Sequence, residues 1–274
     1  MAMVNKKLTL GRAVLLTIFF IGALLSLFPF IWMLIGTTQN PNDVVMGRLI
    51  PGNQFFQNWV KINKIYDVLH FFVNSSKIAL FTVFLGILVN SLAAFGFEKY
   101  PSKNRDRIFG ILLLSLIIPQ MAIVIPMFKQ IAGMNLLNTH TAIILPSVMS
   151  VFIIFFLRQN FKMFPTEIIE AARVDGAGES RIFFSIVVPS MKATFASASI
   201  YMFLLQWNSY LWPLMTILSD EMKTLPIAMS SVMRAYTIEY GGLMILVCIS
   251  TFPIMFLFLA MQRQFVQGLM GSIK

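Results

Sequence analysis

The stretch EIIEAARVDGAGESRIFFSIVVP, residues 167–189, decides how the whole chain is interpreted. It holds four of the eleven carboxylates of the protein, with two glycines inside it and a proline at its end. On both sides the sequence is dominated by Leu, Ile, Phe, Val and Met. A long polar insert in so apolar a chain indicates a segment that lies in water between two parts that do not.

Composition identifies lipid as the solvent of the remaining chain. The 274 residues are 58% hydrophobic and 12% charged, whereas a soluble domain carries roughly 25% charged residues. This predicts an all-α integral membrane protein, because the backbone of a spanning helix satisfies its own hydrogen bonds. The net charge of +10 is typical of basic cytoplasmic loops. The sequence contains no basic patch interleaved with aromatic residues, so nucleic-acid binding is not expected.

Six long runs free of Asp, Glu, Lys and Arg predict six transmembrane helices in one domain, 1–274. We expect these helices near 13–36, 72–97, 107–128, 140–160, 196–218 and 240–262. The segments on the side of both termini carry twice as many Lys and Arg residues as those on the other side. The positive-inside rule then predicts that both termini, and the loop 161–195, are cytoplasmic.

Within that loop, the local signals predict two short helices joined by a glycine turn. Pro165 favours a helix start, and Glu167 and Glu170 suit the positive N-terminal end of a helix dipole. Asp175-Gly176 is a stop signal, because glycine readily adopts the left-handed conformation that ends a helix. A second helix, RIFFSIVV, is expected to end at Pro189. An acidic helix with small alanines fits docking to a protein better than lying on a lipid surface, where basic residues are usual.

The stretch resembles the signature of membrane subunits of bacterial ABC importers. That signature is E-A-A, three residues, G, nine residues, I, one residue and L-P, and only the Leu is replaced, by Val. The longer EAARVDGA, together with QWNSYLWPL at 206–214, is similar to the carbohydrate-uptake branch, in the order of the second permease of a maltose-type pair. The matching positions are Glu170, Ala171, Ala172, Gly176, Ile186, Val188 and Pro189.

This resemblance implies a type I ABC importer permease fold in a bacterial inner membrane, with the loop 161–195 as a coupling loop. It implies as partners a second permease subunit, an ATPase dimer and an extracytoplasmic solute-binding protein. Glu170 is expected to bind a basic residue of the ATPase, Ala171 and Ala172 to pack closely against it, and Asp175-Gly176 to form the turn. Ile186 and Pro189 complete the motif.

The chain itself is not expected to be an enzyme. It lacks the G-x-x-x-x-G-K-[ST] phosphate loop, so ATP and Mg²⁺ are expected on the partner ATPase, with no cofactor on this chain. The two histidines, His70 and His140, have no Cys, Asp or Glu cluster beside them in the sequence. No catalytic or metal site is therefore predicted.

Polar and aromatic residues inside the predicted spans are candidates for the substrate path. Intramembrane polar groups cost free energy and tend to face the interior of a helix bundle, although Asn also joins helices and Trp also marks the interface. Aromatic rings suit the apolar faces of sugars and amides suit their hydroxyls. The candidates are Asn90, Gln120, Gln206, Trp207, Asn208, Tyr210 and Trp212.

Several alternatives stay open at this stage. The solute is expected to be a sugar or oligosaccharide, with glycerol phosphate or another polyol as the alternative. A secondary transporter generally needs an intramembrane carboxylate, and none of the eleven acids lies at a predicted midplane. A membrane enzyme would need a clustered His/Asp/Glu site. Only the resemblance argues against a pure scaffold.

Overall fold

A computed structural model describes residues 10–100 and 102–270, and every regular element within these ranges is helical. The predicted cytoplasmic N-terminus, 1–9, and the last four residues of the C-terminal tail lie outside them. Short 3-10 turns occupy Ser115–Ile117 and Asp220–Met222, and a π-helical stretch occupies Ile182–Val187. The α-helices are α1 Leu10–Thr37, α2 Pro41–Val45, α3 Phe55–Ile65, α4 Val68–Lys99, α5 Arg105–Leu114, α6 Gln120–Gly133, α7 His140–Val148, α8 Val151–Lys162, α9 Thr166–Val174, α10 Glu179–Arg181, α11 Val188–Ser190, α12 Lys192–Trp207, α13 Leu211–Thr216, α14 Leu225–Met233 and α15 Tyr240–Met270.

By length and composition, four segments can each cross a membrane: α1, α4, the pair α7–α8 and α15. Two further pairs of helices are apolar enough but bent, so the count reaches six if each bent pair is one span. On α1, residues 11–31 are exposed throughout, as expected of a helix that faces lipid.

The single helix expected near 107–128 is replaced by two helices that meet at 103°. The helical segment from α5 ends at Ile117, and α6 begins at Gln120. Proline disfavours the α conformation in the residue before it, and Ile118 before Pro119 is extended, with ψ 120°. The sequence therefore indicates where the chain breaks, but the angle comes from tertiary packing.

The helix expected near 196–218 is also interrupted. The α12 helix ends at Trp207 and α13 begins at Leu211, because Pro213 has no N–H to donate to the carbonyl of Ser209. At its other end, α12 meets the helical segment 179–190 at 84°. The span expected near 140–160 likewise contains a break, at Met149 and Ser150 between α7 and α8.

The helices divide into two compact units, of which the first contains α1, α2, α3 and residues 231–249. Its centre is the buried Asn58, whose amide donates to the carbonyls of Thr37 (3.0 Å) and Gln39 (2.8 Å). A Cβ at Gly241 would lie 2.3 Å from the Asn58 Nδ2. The missing side chain at 241 therefore allows the backbones of α15 and α3 to approach.

The second unit contains residues 68–230 and the chain from 250 onward, and it carries the loop 161–195. Its main core combines α4, α8, α9 and α12 around aromatic and aliphatic side chains, among them Phe95, Leu157 and Phe161. Near the ends of α4 and α8, Arg158 Nε binds Glu98 Oε2 at 3.1 Å and Arg158 Nη2 binds Asp106 Oδ1 at 2.7 Å. These ion pairs join α8 to the end of α4 and to α5.

Candidate functional site

The α9 helix ends in a tight turn that requires one residue in the left-handed backbone conformation. Gly176 has φ +79°, and its N–H donates to the carbonyl of Arg173 at 3.0 Å. The next N–H, of Ala177, donates to the carbonyl of Ala172 at 2.9 Å. These two bonds form a Schellman motif, which satisfies the last carbonyls of the helix. The Asp175-Gly176 stop signal therefore acts where the sequence predicts it.

One face of α9 packs into the protein and the other is left free. Ile169 is fully buried in the main core, and Ala172 is 9% exposed. Ala172 thus packs largely against its own chain, and its expected contact with the ATPase stays a prediction. Glu170, Ala171 and Asp175 are exposed.

The Glu170 carboxylate differs from those of Glu98 and Glu179 in having no arginine partner. Glu98 and Glu179 bind arginines, whereas the Glu170 side chain has no hydrogen bond or ion pair within the part of the chain that the structure describes. A carboxylate, at 170, and a small methyl group, at 171, are therefore both exposed on a helix that is anchored in the core by Ile169. This arrangement can accept a cationic group and allows close approach of another protein.

The loop 161–195 is held by three side chains, Tyr100, Arg173 and Glu179, which we call the brace. Arg173 Nε and Nη2 donate to the Glu179 carboxylate at 2.7 and 3.3 Å, across the glycine turn. The Tyr100 hydroxyl, just after α4, donates to the same carboxylate. Hydrogen bonds from Arg173 and then Tyr100 lower the pKa of Glu179, so the carboxylate stays ionised. Lys99 adds a bond from Nζ to the Phe164 carbonyl at 2.8 Å.

The last two residues of the motif lie in the segment that returns to the membrane. Ile186 is half-buried against the main core, within the π-helical stretch Ile182–Val187. Pro189 is exposed and lies inside the helical segment, which continues to Ser190. The expectation that Pro189 ends this helix is therefore wrong by one residue, since a proline without N–H is tolerated where the preceding turn is widened.

A second candidate site is a cavity of about 500 Å³ in the second unit. Among the predicted path residues, Gln120, Gln206, Tyr210 and Trp212 line it. Trp212 is anchored there by a bond from its Nε1 to the Ala142 carbonyl at 2.9 Å. Sequence reasoning missed four further polar lining residues, Thr82, Ser147, Ser150 and Ser209. Thr82 carries a sequence signal, since its hydroxyl lies in the middle of an apolar run.

The other three predicted path residues do not line this cavity. Asn90 is fully buried, donates to the carbonyls of Gly86 and Val148 and accepts from the Ser150 N–H, so it holds the break between α7 and α8. Trp207 is buried, and its Nε1 donates to the Ser250 carbonyl at 2.9 Å.

Asn208 is exposed, and its amide donates to the Leu204 carbonyl of its own helix at 2.8 Å. These bonds show that both asparagines and Trp207 stabilise helix ends and helix contacts.

The histidines lie away from both sites. His70 Nε2 is 2.6 Å from the Glu221 carbonyl oxygen, and His140 is half-buried. Within residues 10–100 and 102–270, no three His, Cys, Asp or Glu side chains lie together as metal ligands would.

Comparison with known proteins places these features in context. A family model described as "Binding-protein-dependent transport system inner membrane component" matches residues 83–271. The lactose transport system permease protein of Rhizobium radiobacter is 47% identical over 254 residues, which are 93% of each chain. An arabinooligosaccharides transport system permease protein of Bacillus subtilis (strain 168) is 34% identical, with 94% of this chain and 95% of that protein covered.

Two other matches extend the comparison. An sn-glycerol-3-phosphate transport system permease protein of Yersinia pestis is 30% identical over 93% of this chain and 94% of its own. Among solved structures, a chain of a bacterial ABC transporter involved in the import of the acidic polysaccharide alginate has a TM-score of 0.82. It shares 18% identity and covers 96% of this chain and 99% of its own, so this likeness concerns the fold alone.

Proposed function

This chain belongs to the family of binding-protein-dependent transport system inner membrane components, and from that premise we propose that it is one permease subunit of an ATP-driven sugar importer. Its partners are a second permease subunit, an ATPase dimer that binds ATP and Mg²⁺, and an extracytoplasmic solute-binding protein. The chain lies in a bacterial inner membrane with both termini in the cytoplasm, in accord with the distribution of Lys and Arg.

The observation that carries this proposal is the exposed, unpaired Glu170 on a braced helix. We assign to Glu170 a charge-assisted hydrogen bond with a basic residue of the ATPase, which fixes the register of docking. Ala171 allows the two surfaces to approach closely. Gly176 and the brace keep α9 in place, so that the helix moves with the membrane spans when the ATPase dimer closes. Such a rigid-body movement produces alternating access.

A sugar or oligosaccharide is the solute that the relatives favour. The two more similar relatives named above are described as permeases for lactose and for arabinooligosaccharides, at 47% and 34% identity. The glycerol-phosphate relative, at 30% identity, supports the alternative of a phosphorylated polyol.

Purification and reconstitution test the proposal. A tagged copy of this chain, solubilised from native membranes, should copurify with a second permease and an ATPase. In proteoliposomes, uptake of labelled sugar should require ATP on the ATPase side and the binding protein on the other. Uptake that runs on an ion gradient without ATP would instead identify a secondary transporter and refute the proposal.

A further inference from the structure

Three interruptions of the membrane helices converge on the cavity. Its wall includes Gln120, which follows the break between α5 and α6, and Ser150, which lies in the break between α7 and α8. It also includes Ser209 and Tyr210, from the break between α12 and α13. Irregular backbone at membrane depth is tolerated where protein buries it or where it lines a polar cavity, and in transporters broken helices build substrate sites.

Thr82 lines this cavity and carries an unsatisfied hydroxyl. The residue is 2% exposed and lies near the midpoint of α4, and its Oγ1 has no hydrogen-bond partner within the described residues. A buried hydroxyl without a partner costs about 1–3 kcal/mol, so its retention needs a reason. Most threonines in membrane helices can bind the carbonyl one turn back, as Thr216 does with Trp212 at 2.9 Å.

Gln206 adds a second uncommitted polar group. Its side chain is 8% exposed and makes no hydrogen bond within the part of the chain that the structure describes. The amide offers two donors and one acceptor carbonyl to the cavity. A hydroxyl and an amide with free capacity suit a ligand that is rich in hydroxyl groups.

The wall carries no formal charge. None of the described residues that line the cavity is Asp, Glu, Lys, Arg or His. The rings of Tyr210 and Trp212 provide apolar surface beside the polar groups. A phosphate or carboxylate would enter such a wall without a cationic partner, which costs free energy. The cavity volume lies within the ~300–1,000 Å³ range of small-molecule sites.

We infer that this permease itself contains a translocation subsite for one uncharged glycosyl unit, with Thr82 and Gln206 binding hydroxyls and Tyr210 and Trp212 facing the sugar ring. The inference rests on the proposed importer function and sharpens it. It assigns sugar contacts to this subunit, and it excludes phosphorylated or acidic solutes from the cavity.

The test uses the complete transporter in proteoliposomes with its binding protein. The quantity measured is the amount of solute transported per ATP hydrolysed, for labelled lactose, labelled arabinotriose and labelled sn-glycerol 3-phosphate. We expect the natural complex to carry a neutral sugar and to exclude glycerol 3-phosphate. Thr82→Val, which keeps the shape but removes the hydroxyl, and Gln206→Leu should each lower this ratio about tenfold. Thr82→Ser, which keeps the hydroxyl, should transport as much solute per ATP as the natural complex.

Thr194→Val is the matched control, because Thr194 is also buried, at 7% exposed, but binds Asn160 Oδ1 at 3.2 Å outside the cavity. Its ratio should equal that of the natural complex. If Thr82→Val and Gln206→Leu both keep the ratio of the natural complex, the inference of a subsite is refuted, whereas the proposed importer function is not affected. Transport of glycerol 3-phosphate without any neutral sugar would overturn the assigned solute class alone. Loss of all ATP-dependent uptake in the natural complex would refute the importer function itself.

Discussion

Glu170 is a single residue whose surroundings define its role. Its side chain is exposed on α9, and its carboxylate is unpaired within the described residues, although arginines neutralise Glu98 and Glu179. The sequence motif predicted Glu170 as the docking carboxylate. It could not predict that Ala172 turns inward, because inward and outward positions on so short a helix depend on the core that receives Ile169.

Glu170→Lys should lower ATP-dependent uptake more than about tenfold, because it replaces an attractive contact with a repulsive one. The variant should still reach the membrane, since the side chain packs against nothing in its own chain. Uptake into proteoliposomes and copurification of the ATPase measure the effect. Glu167→Lys makes the same charge change one turn earlier, and an equal loss there would show a general charge effect rather than a specific contact.

Asn90 makes contacts that the sequence did not predict. A buried amide in a span suggested the substrate path, yet its partners are backbone groups across the break at Met149 and Ser150. The sequence could not reveal this, because Asn90 and Ser150 come together only through the packing of α4 against α7 and α8.

Asn90→Ala should lower the free energy of unfolding by about 1–3 kcal/mol, because it leaves the Val148 carbonyl and the Ser150 N–H without their partner. Asn208→Ala, at an exposed amide, should change it by less than about 0.5 kcal/mol. Thermal unfolding of the two purified complexes provides the comparison. Equal stability of both variants would contradict the role that we assign to Asn90 in holding the break between α7 and α8.

At the scale of elements, α9 and its turn were predictable and the bent helices were not. The Asp-Gly stop fixes the end of α9 through local backbone energetics, which a sequence records directly. Proline at 119 and at 213 marks an interruption in the same way. The bends of 103° and 84° depend on which neighbours the broken helices meet, and no local signal encodes them.

Gly176→Ala tests the turn. A side chain in the left-handed region costs about 1–2 kcal/mol, so we expect α9 to shift and uptake per ATP to fall. Gly176→Asn should be milder, since asparagine tolerates this conformation. Gly178→Ala is the matched control, because Gly178 has φ −68° and open space around its Cβ. Equal effects at 176 and 178 would contradict the role of the turn geometry.

For the whole molecule, the predicted all-helical importer permease fold and membership of the sugar-permease family are confirmed. Composition and the length of apolar runs were sufficient for the membrane class, because lipid leaves a chain few other solutions. The cavity was only half predicted. Its polar groups come from several helices far apart in sequence, and single residues such as Thr82 carry no mark of where the others lie.

Orientation is a property of the whole chain, and labelling tests it. In a Cys248→Ala background, which removes the one cysteine, Val174→Cys and Tyr236→Cys each place a thiol at a highly exposed position. A membrane-impermeant maleimide should label position 174 only in inside-out vesicles and position 236 only in right-side-out vesicles. The reverse pattern would place the coupling loop outside the cell and remove the basis for docking to an ATPase.

The uninterrupted α4 has a mechanical consequence. Its 32 residues contain no proline and form one continuous helix about 48 Å long. Tyr100, directly after one end, belongs to the brace, and near the other Asn74 and Ser75 hold the segment 221–225 through three hydrogen bonds. A displacement applied at the end of α4 next to the brace should therefore reach its other end without a proline hinge in between. With the subsite inferred above, a substitution at Thr82 would change the contacts to the solute and leave the contacts at both ends of α4 unchanged.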